Sequence, residues 1–97
     1  MIVLIARYQA APGNGDAVET ALQEMAPLVE QHEPGCLLYH ACRSTENSDV
    51  FVLYEQYEDQ AALDRHRETS HFQRIIEGRI VPLLDSRERE MLELVAG

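Results

Sequence analysis

The strongest constraint on the fold is that three segments of this 97-residue chain are apolar at both odd and even positions. They are residues 2–9 (IVLIARYQ), 36–45 (CLLYHACRST) and 50–58 (VFVLYEQYE), and their β-branched and aromatic residues predict strands. A strand with one face in water alternates apolar and polar residues, so these strands need cover on both faces. The helices of so short a chain cover only one face. The sequence therefore predicts a homodimer in which a second copy of the sheet covers the other face.

A helix is predicted between the first two strands. The segment PGNG breaks the strand pattern, and apolar side chains then recur at helical spacing over residues 16–32. Asp16 and Glu19 have the spacing of a capping box, with Asn14 as the alternative cap. Pro27 lacks a backbone donor and is expected to bend this helix.

The remaining elements complete the order βαββαβ. The polar run ENSD at 46–49 predicts a turn that joins the second and third strands into an antiparallel hairpin. Asp59 and Ser70 are the predicted caps of two further helical segments, and residues 86–97 predict a fourth strand. This order is that of an α+β, ferredoxin-like fold with an antiparallel sheet, and it predicts a single domain over residues 1–97.

Charge and cysteine content limit the partners and the compartment. The net charge of −9 repels nucleic acid and anionic membrane surfaces. Cys36 and Cys42 would lie about 20 Å apart on a straight strand, too far for a disulfide, which favours the reducing cytoplasm. The apolar start, MIVLIARYQA, is too short to span a bilayer and lacks the basic region and cleavage site of a signal peptide, so no membrane segment is predicted.

Three motifs resemble those of the antibiotic biosynthesis monooxygenase family: EPGC at 33–36, FVLYEQY at 51–57 and AL…H…SHF at 62–72. The resemblance runs over nearly the whole chain. It implies a dimeric α+β barrel in which each subunit has a pocket between its sheet and its helices. Activities in that family include cofactor-independent oxidation of phenols or quinols, haem degradation and isomerisation of a phosphorylated signalling sugar, and some members have no known activity.

The chain departs from the haem-degrading branch of that family. Those members use an asparagine in the first strand, a tryptophan in the second helical region and a histidine that binds iron. The corresponding positions here carry Ala6 or Arg7, His66 and Ile76, and the chain has no tryptophan. The resemblance therefore does not extend to haem chemistry.

The polyketide-oxidising branch carries an asparagine and a tryptophan on the third strand, where this chain has Leu53 and Tyr57. The resemblance instead favours a small quinol monooxygenase-like member that oxidises a small quinol or phenol with O2, without a cofactor or a metal. Two alternatives stay open. One is an acid–base isomerase of a small hydroxy-ketone, and the other is a non-catalytic ligand-binding dimer.

Two histidines in the segment HRETSHF, His66 and His71, are the main candidates for chemistry. As metal ligands they would need two more donors, and their spacing is not that of a helical metal pair. An imidazole titrates near neutral pH and moves a proton in either direction. His66 shares the sheet-facing side of its helix with Ala62 and Leu63, so it is the predicted acid–base group. The alternative for both histidines is a structural role, which is favoured for His71.

Strand parity supplies the other candidates. The odd-numbered residues of 51–57 lie on one face of the third strand, among them Glu55. A carboxylate among apolar neighbours needs a partner, and Arg7 is the predicted one. Glu55 is then either half of an ion pair on the barrel wall or an acid–base group opposite His66, with its pKa raised by burial. The predicted catalytic residues are His66, Glu55 and Tyr57, and the predicted substrate-binding residues are His71, Arg7, Phe51, Leu53 and Phe72.

Overall fold

The sheet has four antiparallel strands in the spatial order β2-β3-β1-β4, in a computed structural model that describes residues 1–97. This order confirms the predicted α+β, ferredoxin-like arrangement and the hairpin of the second and third strands. The second strand ends two residues before the predicted limit, because the hydroxyl of Ser44 accepts N–H groups from Glu46 and Asn47 and turns the chain. The strands are β1 Ile2–Ala10, β2 Cys36–Arg43, β3 Val50–Tyr57 and β4 Leu84–Glu93.

The helices all lie between strands in sequence. Helix α1 spans Gly15–His32 and continues through Pro27. Helix α2 spans Gln60–Glu68, and a π-helix, Phe72–Ile80, and a 3₁₀ turn, Val81–Leu83, follow it before β4. A π-helix of nine residues is long for a conformation that usually appears as a single turn. None of the helices is both long enough and apolar enough to cross a lipid bilayer.

One of the predicted helix caps at the second helical region is confirmed and one is wrong. The Asp59 side chain accepts the N–H of Ala62 at 2.8 Å and begins α2. Ser70 does not cap the following segment. The hydroxyl of Thr69 accepts the N–H of Phe72 at 3.1 Å instead, because Thr69 is the residue at which the chain leaves α2.

The predicted capping box of α1 is also wrong. The helix begins at Gly15, after Asn14. The Asn14 amide donates to the carbonyl of Leu83 at 3.2 Å and makes no cap hydrogen bond, and the Asp16 carboxylate binds Arg43 at 2.9 Å. Contacts to other elements therefore hold both candidate capping side chains away from the helix end.

One face of the sheet packs against the helices and forms the main hydrophobic core. Its strand residues lie on the same side of β1 and β3, and they contact apolar residues of α1 and of the π-helix. The buried members from the strands include Ala6, Tyr8, Phe51 and Leu53, and those from the helices include Val18, Leu22, Met25, Ile75, Ile76 and Ile80.

The opposite face of the sheet is apolar at its centre but carries no helix. Val3 is buried there between neighbouring strands, whereas Ile5, Val52 and Tyr54 remain partly exposed. β1 and β3 are thus apolar on both faces, and the chain's own helices cover only one of them.

Candidate active site

A carboxylate is held against α2 by the turn that follows α1. Glu33 is the residue after the helix, and its N–H donates to the carbonyl of Val29 at 2.9 Å. Pro34 and Gly35 then lead into β2. A Cβ atom at Gly35 would lie 2.7 Å from the Cβ of Ala62, so only glycine lets this turn approach α2 so closely. The Glu33 side chain is consequently buried, with 8 % of the residue exposed.

Two buried imidazoles bind this carboxylate. Nδ1 of His66, in the last turn of α2, lies 2.6 Å from one oxygen of Glu33, and Nε2 of His71 lies 2.6 Å from the other. Burial opposes ionisation of Glu33, but the two imidazole hydrogen bonds outweigh it, so the pKa of Glu33 lies below its ordinary value of 4.5. An ionised carboxylate only accepts hydrogen bonds, so both imidazoles donate an N–H to it. In a neutral His66 ring the free lone pair is then on Nε2.

A second carboxylate faces the other side of the His66 ring. An oxygen of Glu55, on β3, lies 3.8 Å from Nε2 of His66. The hydroxyl of Tyr57 donates to the same oxygen at 2.5 Å. Burial raises the pKa of Glu55, against the opposing effects of the Tyr57 hydrogen bond and the His66 charge. Burial and the neighbouring Glu55 charge also raise the pKa of Tyr57, which keeps its phenol protonated as a donor.

Aromatic rings enclose the imidazole of His66. The ring centroids of Tyr39, Tyr57 and Phe72 lie 5.8, 5.3 and 5.0 Å from that of His66, with Phe72 packed edge-on. No buried side-chain nitrogen or oxygen in the chain lacks a hydrogen-bond partner. The aromatic rings shield the carboxylate–imidazole contacts from bulk water, which strengthens the electrostatic interactions within the site.

A small cavity connects this cluster to the surface. Its volume is about 20 Å³, which accommodates about one water molecule. It lies between the helix-facing side of the sheet and the region around α2 and the π-helix. Its inner wall is formed by residues including Tyr8, Tyr39, Glu55, His66 and Phe72, and its mouth by Arg67, Arg87 and Arg89.

Depressions of about 370 and 200 Å³ reach His71 and Glu33 but are lined by neither His66 nor Glu55.

Two further depressions, of about 510 and 290 Å³, lie between α1 and β2. The ionisable groups of the first include Glu30 and His40, which are exposed. The second contains Arg43 and Glu19, which form an ion pair at 3.4 Å near the surface. Exposed groups of this kind stay hydrated and interact weakly. The smaller cavity, which is lined by the buried carboxylate of Glu55 and the buried imidazole of His66, is therefore the better candidate for chemistry.

The structure brings together several residues that the sequence singled out for separate reasons. His66, Glu55 and Tyr57, the predicted catalytic set, form one contact network. His71 joins that network through Glu33, and Phe72 packs on the His66 ring. No group of three or more His, Cys, Asp or Glu side chains is arranged to hold a metal ion.

The predicted Arg7–Glu55 ion pair is wrong. Arg7 is exposed on the opposite face of the sheet, because the β1–β3 register pairs it with Val52, and Val52 points away from Glu55. The prediction that the odd-numbered residues of β3 share one face is confirmed, since Phe51, Leu53 and Glu55 all lie on the helix-facing side of the sheet. Both are buried in the core against α1, however, and neither lines the cavity.

Sequence reasoning gave no role to several residues of the site. Glu33 was part of the EPGC motif but was not a candidate, although an acid that precedes Pro-Gly at a helix end was its visible signal. Arg67, Arg87 and Arg89 were also missed. The signal for the last two was the alternation of SRERE, which places both arginines on one face of a strand.

Comparisons with known proteins agree with this fold. A family model described as antibiotic biosynthesis monooxygenase matches residues 1–78. "Putative monooxygenase YcnE" of Bacillus subtilis is 35% identical over 75 residues, which cover 75% of this chain and 76% of that protein. "Putative monooxygenase Rv0793" of Mycobacterium tuberculosis is 31% identical over 71 residues, which cover 73% and 68%.

A solved structure, that of PA3566 from Pseudomonas aeruginosa, is 38% identical and has a TM-score of 0.85, with 98% of this chain and 94% of that chain covered. The family model covers the Glu33 turn, β3 and α2, which hold the carboxylate–imidazole network. The chain belongs to the antibiotic biosynthesis monooxygenase family.

Proposed function

We propose that this protein is a cofactor-independent monooxygenase that oxidises a small phenol or quinol with O2, with His66 as its general base. The observation that carries the proposal is the 2.6 Å hydrogen bond from His66 to Glu33, which leaves Nε2 of His66 next to Glu55 at the cavity. Similarity to two proteins named as monooxygenases supports the reaction class.

The first step is removal of the phenolic proton by Nε2 of His66. Because Glu33 accepts a hydrogen bond from the Nδ1–H group, the neutral ring carries its proton on Nδ1 and its free lone pair on Nε2, which is the tautomer that a base requires. Proton uptake creates an imidazolium that lies between the carboxylates of Glu33 and Glu55. Both carboxylates are buried, so their attraction for this cation is stronger than it would be in water.

The second step uses the phenolate as reductant and O2 as oxidant. One electron passes from the phenolate to O2, and the resulting radical pair forms a C–O bond at the ring carbon para to the phenolic oxygen. His66 returns its proton to the peroxide. Loss of the hydrogen on that carbon, with cleavage of the O–O bond, releases water and leaves a quinone. One phenol with a hydrogen at that para carbon and one O2 thus give one quinone and one water. A 1,4-quinol carries a hydroxyl at that carbon, so superoxide takes a second electron and proton from it and the returned proton of His66 completes H2O2; one quinol and one O2 then give one quinone and one H2O2. Neither reaction needs an external reductant for work that a cofactor usually performs.

The cavity has room for a molecule the size of water, so an aromatic ring must displace side chains to enter. The mouth is the side where such movement is easiest, because Arg89 is exposed and Arg67 is partly exposed. The rings of Tyr39 and Phe72 then keep water from the reacting oxygen. Exclusion of water preserves the electrostatic effect of Glu33 and Glu55.

We also propose that the protein is a homodimer, joined through the sheet face that carries Ile5, Val52 and Tyr54. These side chains form an apolar surface that the chain's own helices leave uncovered, and such surfaces are typical of interfaces. The two free thiols, Cys36 and Cys42, favour the cytoplasm as its location.

The test is O2 consumption by the purified, metal-free protein with simple quinols and phenols. His66→Ala should lower kcat/KM by roughly 10²–10⁴-fold, which is the usual contribution of a general base. His40→Ala, which removes an exposed histidine on β2 outside the cavity, is the matched control and should retain activity. Circular dichroism verifies that both variants fold.

Two outcomes would contradict the proposal. Turnover that survives in the folded His66→Ala variant removes His66 from the mechanism. Absence of O2 uptake by the wild type, together with deuterium exchange into a hydroxy-ketone in deuterated water, would assign the site to the isomerase reaction instead.

A further inference from the structure

The mouth of the cavity is rich in arginine although the chain is strongly acidic. The sequence has 17 Asp and Glu against 8 basic residues, and every basic residue is an arginine. Arg67, from α2, and Arg87 and Arg89, from β4, all line the cavity that contains His66 and Glu55. The overall charge of −9 repels anions, so this mouth is a local reversal of the charge on the molecule.

Arginines and glutamates alternate along β4 and therefore lie on opposite faces of the sheet at this mouth. The β1–β4 register places Arg87 and Arg89 on the cavity side of the sheet and the alternating Glu88 and Glu90 on the opposite side. Neither Glu88 nor Glu90 therefore neutralises the arginines from their own face. Both arginines lie beyond residues 1–78, so the match to the family model does not include them.

Two of the three guanidinium groups are available to a ligand. Arg87 binds Glu77 at 2.9 Å. Arg67 and Arg89 form no ion pair with any carboxylate of the chain. A guanidinium presents paired donors in the geometry that a carboxylate accepts, and it binds one in preference to a neutral group.

We propose, building on the function proposed above, that the substrate is a phenol or quinol that carries a carboxylate. The carboxylate binds Arg67 and Arg89 at the mouth while the phenolic hydroxyl reaches Nε2 of His66. Anchoring one end of the molecule holds its reacting oxygen at the base, which is how remote binding groups accelerate a reaction. The inner wall already contains the buried carboxylate of Glu55, which repels a second carboxylate, so the carboxylate of the substrate stays at the mouth.

A competing explanation is that the arginines only offset the negative charge of buried Glu55. The charge of Arg67 does act on Glu55, where it opposes the effect of burial on the pKa. That effect acts on the enzyme itself, so it would change the turnover of charged and neutral substrates alike. Direct binding of a carboxylate affects only the charged substrate, and mainly through KM.

The experiment compares 2,5-dihydroxybenzoate with its methyl ester, which has the same ring and substituent positions but no charge. With the wild type we expect a lower KM for the acid. The Arg67→Ala/Arg89→Ala double variant should lower kcat/KM for the acid by about 10- to 100-fold more than for the ester, as expected for loss of hydrogen bonds to a charged group. Arg74→Ala, which removes an exposed arginine of the π-helix that has no ion pair, is the control and should leave the acid–ester ratio unchanged.

Failure of this inference can be distinguished from failure of the oxygenase proposal. If both compounds consume O2 with equal KM, or if the double variant affects both equally, the carboxylate site is wrong and the oxygenase stands. If neither compound consumes O2, calorimetry of the acid and the ester under nitrogen tests the site alone. Binding of the acid that is tighter than that of the ester, and that is lost in the folded double variant, supports the site without turnover. Absence of such binding overturns it.

Discussion

Replacing Glu33 by glutamine keeps the shape of the side chain but removes the charge that two buried imidazoles share. The carboxylate now accepts an N–H from His66 and one from His71, each at 2.6 Å. A glutamine accepts from only one of them, and its amide N–H must donate to the other imidazole, which then changes tautomer. With the donor end toward His66, the proton of that ring moves to Nε2 and the ring no longer acts as a base.

The expected loss of stability follows from the two hydrogen bonds. A hydrogen bond to a charged group contributes about 1.5–3 kcal/mol, and a neutral one about 1 kcal/mol. Exchanging two charged bonds for two neutral ones lowers the free energy of unfolding by about 2 kcal/mol. For a chain of 97 residues, that corresponds to a decrease in Tm of about 8–16 °C.

The pH dependence has a definite sign. The pKa of Glu33 in the folded protein lies below 4.5, because the imidazole hydrogen bonds outweigh the effect of burial. A carboxylate with a lowered pKa contributes its stability fully above its unfolded pKa and loses it as the pH falls through the folded value. Glutamine does not titrate. The stability difference between wild type and Glu33→Gln should therefore be largest at neutral pH and should shrink below pH 4.5.

Urea unfolding at about pH 7.5 and at about pH 3.5, at a fixed protein concentration, measures this difference. The matched control is Glu30→Gln, which neutralises an exposed glutamate of the same helix that forms no ion pair, and which should change stability by less than about 0.5 kcal/mol. Equal unfolding free energies for the two variants at neutral pH would refute the reasoning. So would a deficit for Glu33→Gln that is the same at both pH values.

Three further predictions concern the thiols, the sheet face and the second acid. Burial raises the pKa of the Cys36 thiol to about 12, so iodoacetamide at about pH 8 should leave Cys36 unlabelled in the folded protein and label it after unfolding in urea, as read by peptide mass mapping; labelling of Cys36 in the folded protein would contradict this. Val52→Asp places a charge in the proposed interface and should give a monomer by light scattering, and a dimer of unchanged mass would rule out the sheet-to-sheet arrangement. Because burial raises the pKa of Glu55, against the Tyr57 hydrogen bond, wild-type stability should fall relative to Glu55→Gln as the pH rises above 4.5, and a constant difference in urea titrations would refute this.

The parts of the fold that were predictable depend on local signals. The Asp59 side chain accepts a backbone N–H three residues away. The polar residues 46–49 form a turn in which one of them, Asn47, accepts the backbone N–H of another, Asp49. The element order follows from such signals. The cap at Asp16 failed because its side chain binds Arg43 of β2. The cap at Ser70 failed because the neighbouring hydroxyl of Thr69 accepts the N–H of Phe72 instead.

The error at Arg7 has a different cause, because it depends on strand register. In the observed register Glu55 pairs with Leu4, and Arg7 pairs with Val52. A shift of one residue would put Arg7 on the same face as Glu55. Apolar strands of this kind have no polar face that selects one register over the other. The feature that predicts cover on both faces therefore also prevents the sequence from showing which face holds the site.

The sequence could not predict that His66 and His71 bind the same carboxylate, for a related reason. Glu33 is 33 positions from His66 and 38 from His71, and it joins them only because the Gly35 turn packs on α2. The spacing of His66 and His71 in the sequence therefore carried no information about their shared partner. The sequence favoured a structural role for His71, and the structure shows that Nε2 of His71 forms a hydrogen bond with the Glu33 carboxylate.

The arrangement of the two acids around His66 argues for proton transfer rather than for stability alone. Buried ion pairs contribute little net stability compared with apolar residues of similar volume. A structural imidazole would need one acid, but His66 lies between two, and their pKa values are shifted in opposite directions. Groups whose environments push their pKa values apart in this way mark the division of roles in an acid–base site. In the proposed mechanism Glu33 keeps its charge and orients the ring, while Glu55 and Nε2 of His66 face the cavity, where a proton is exchanged with a bound hydroxyl group.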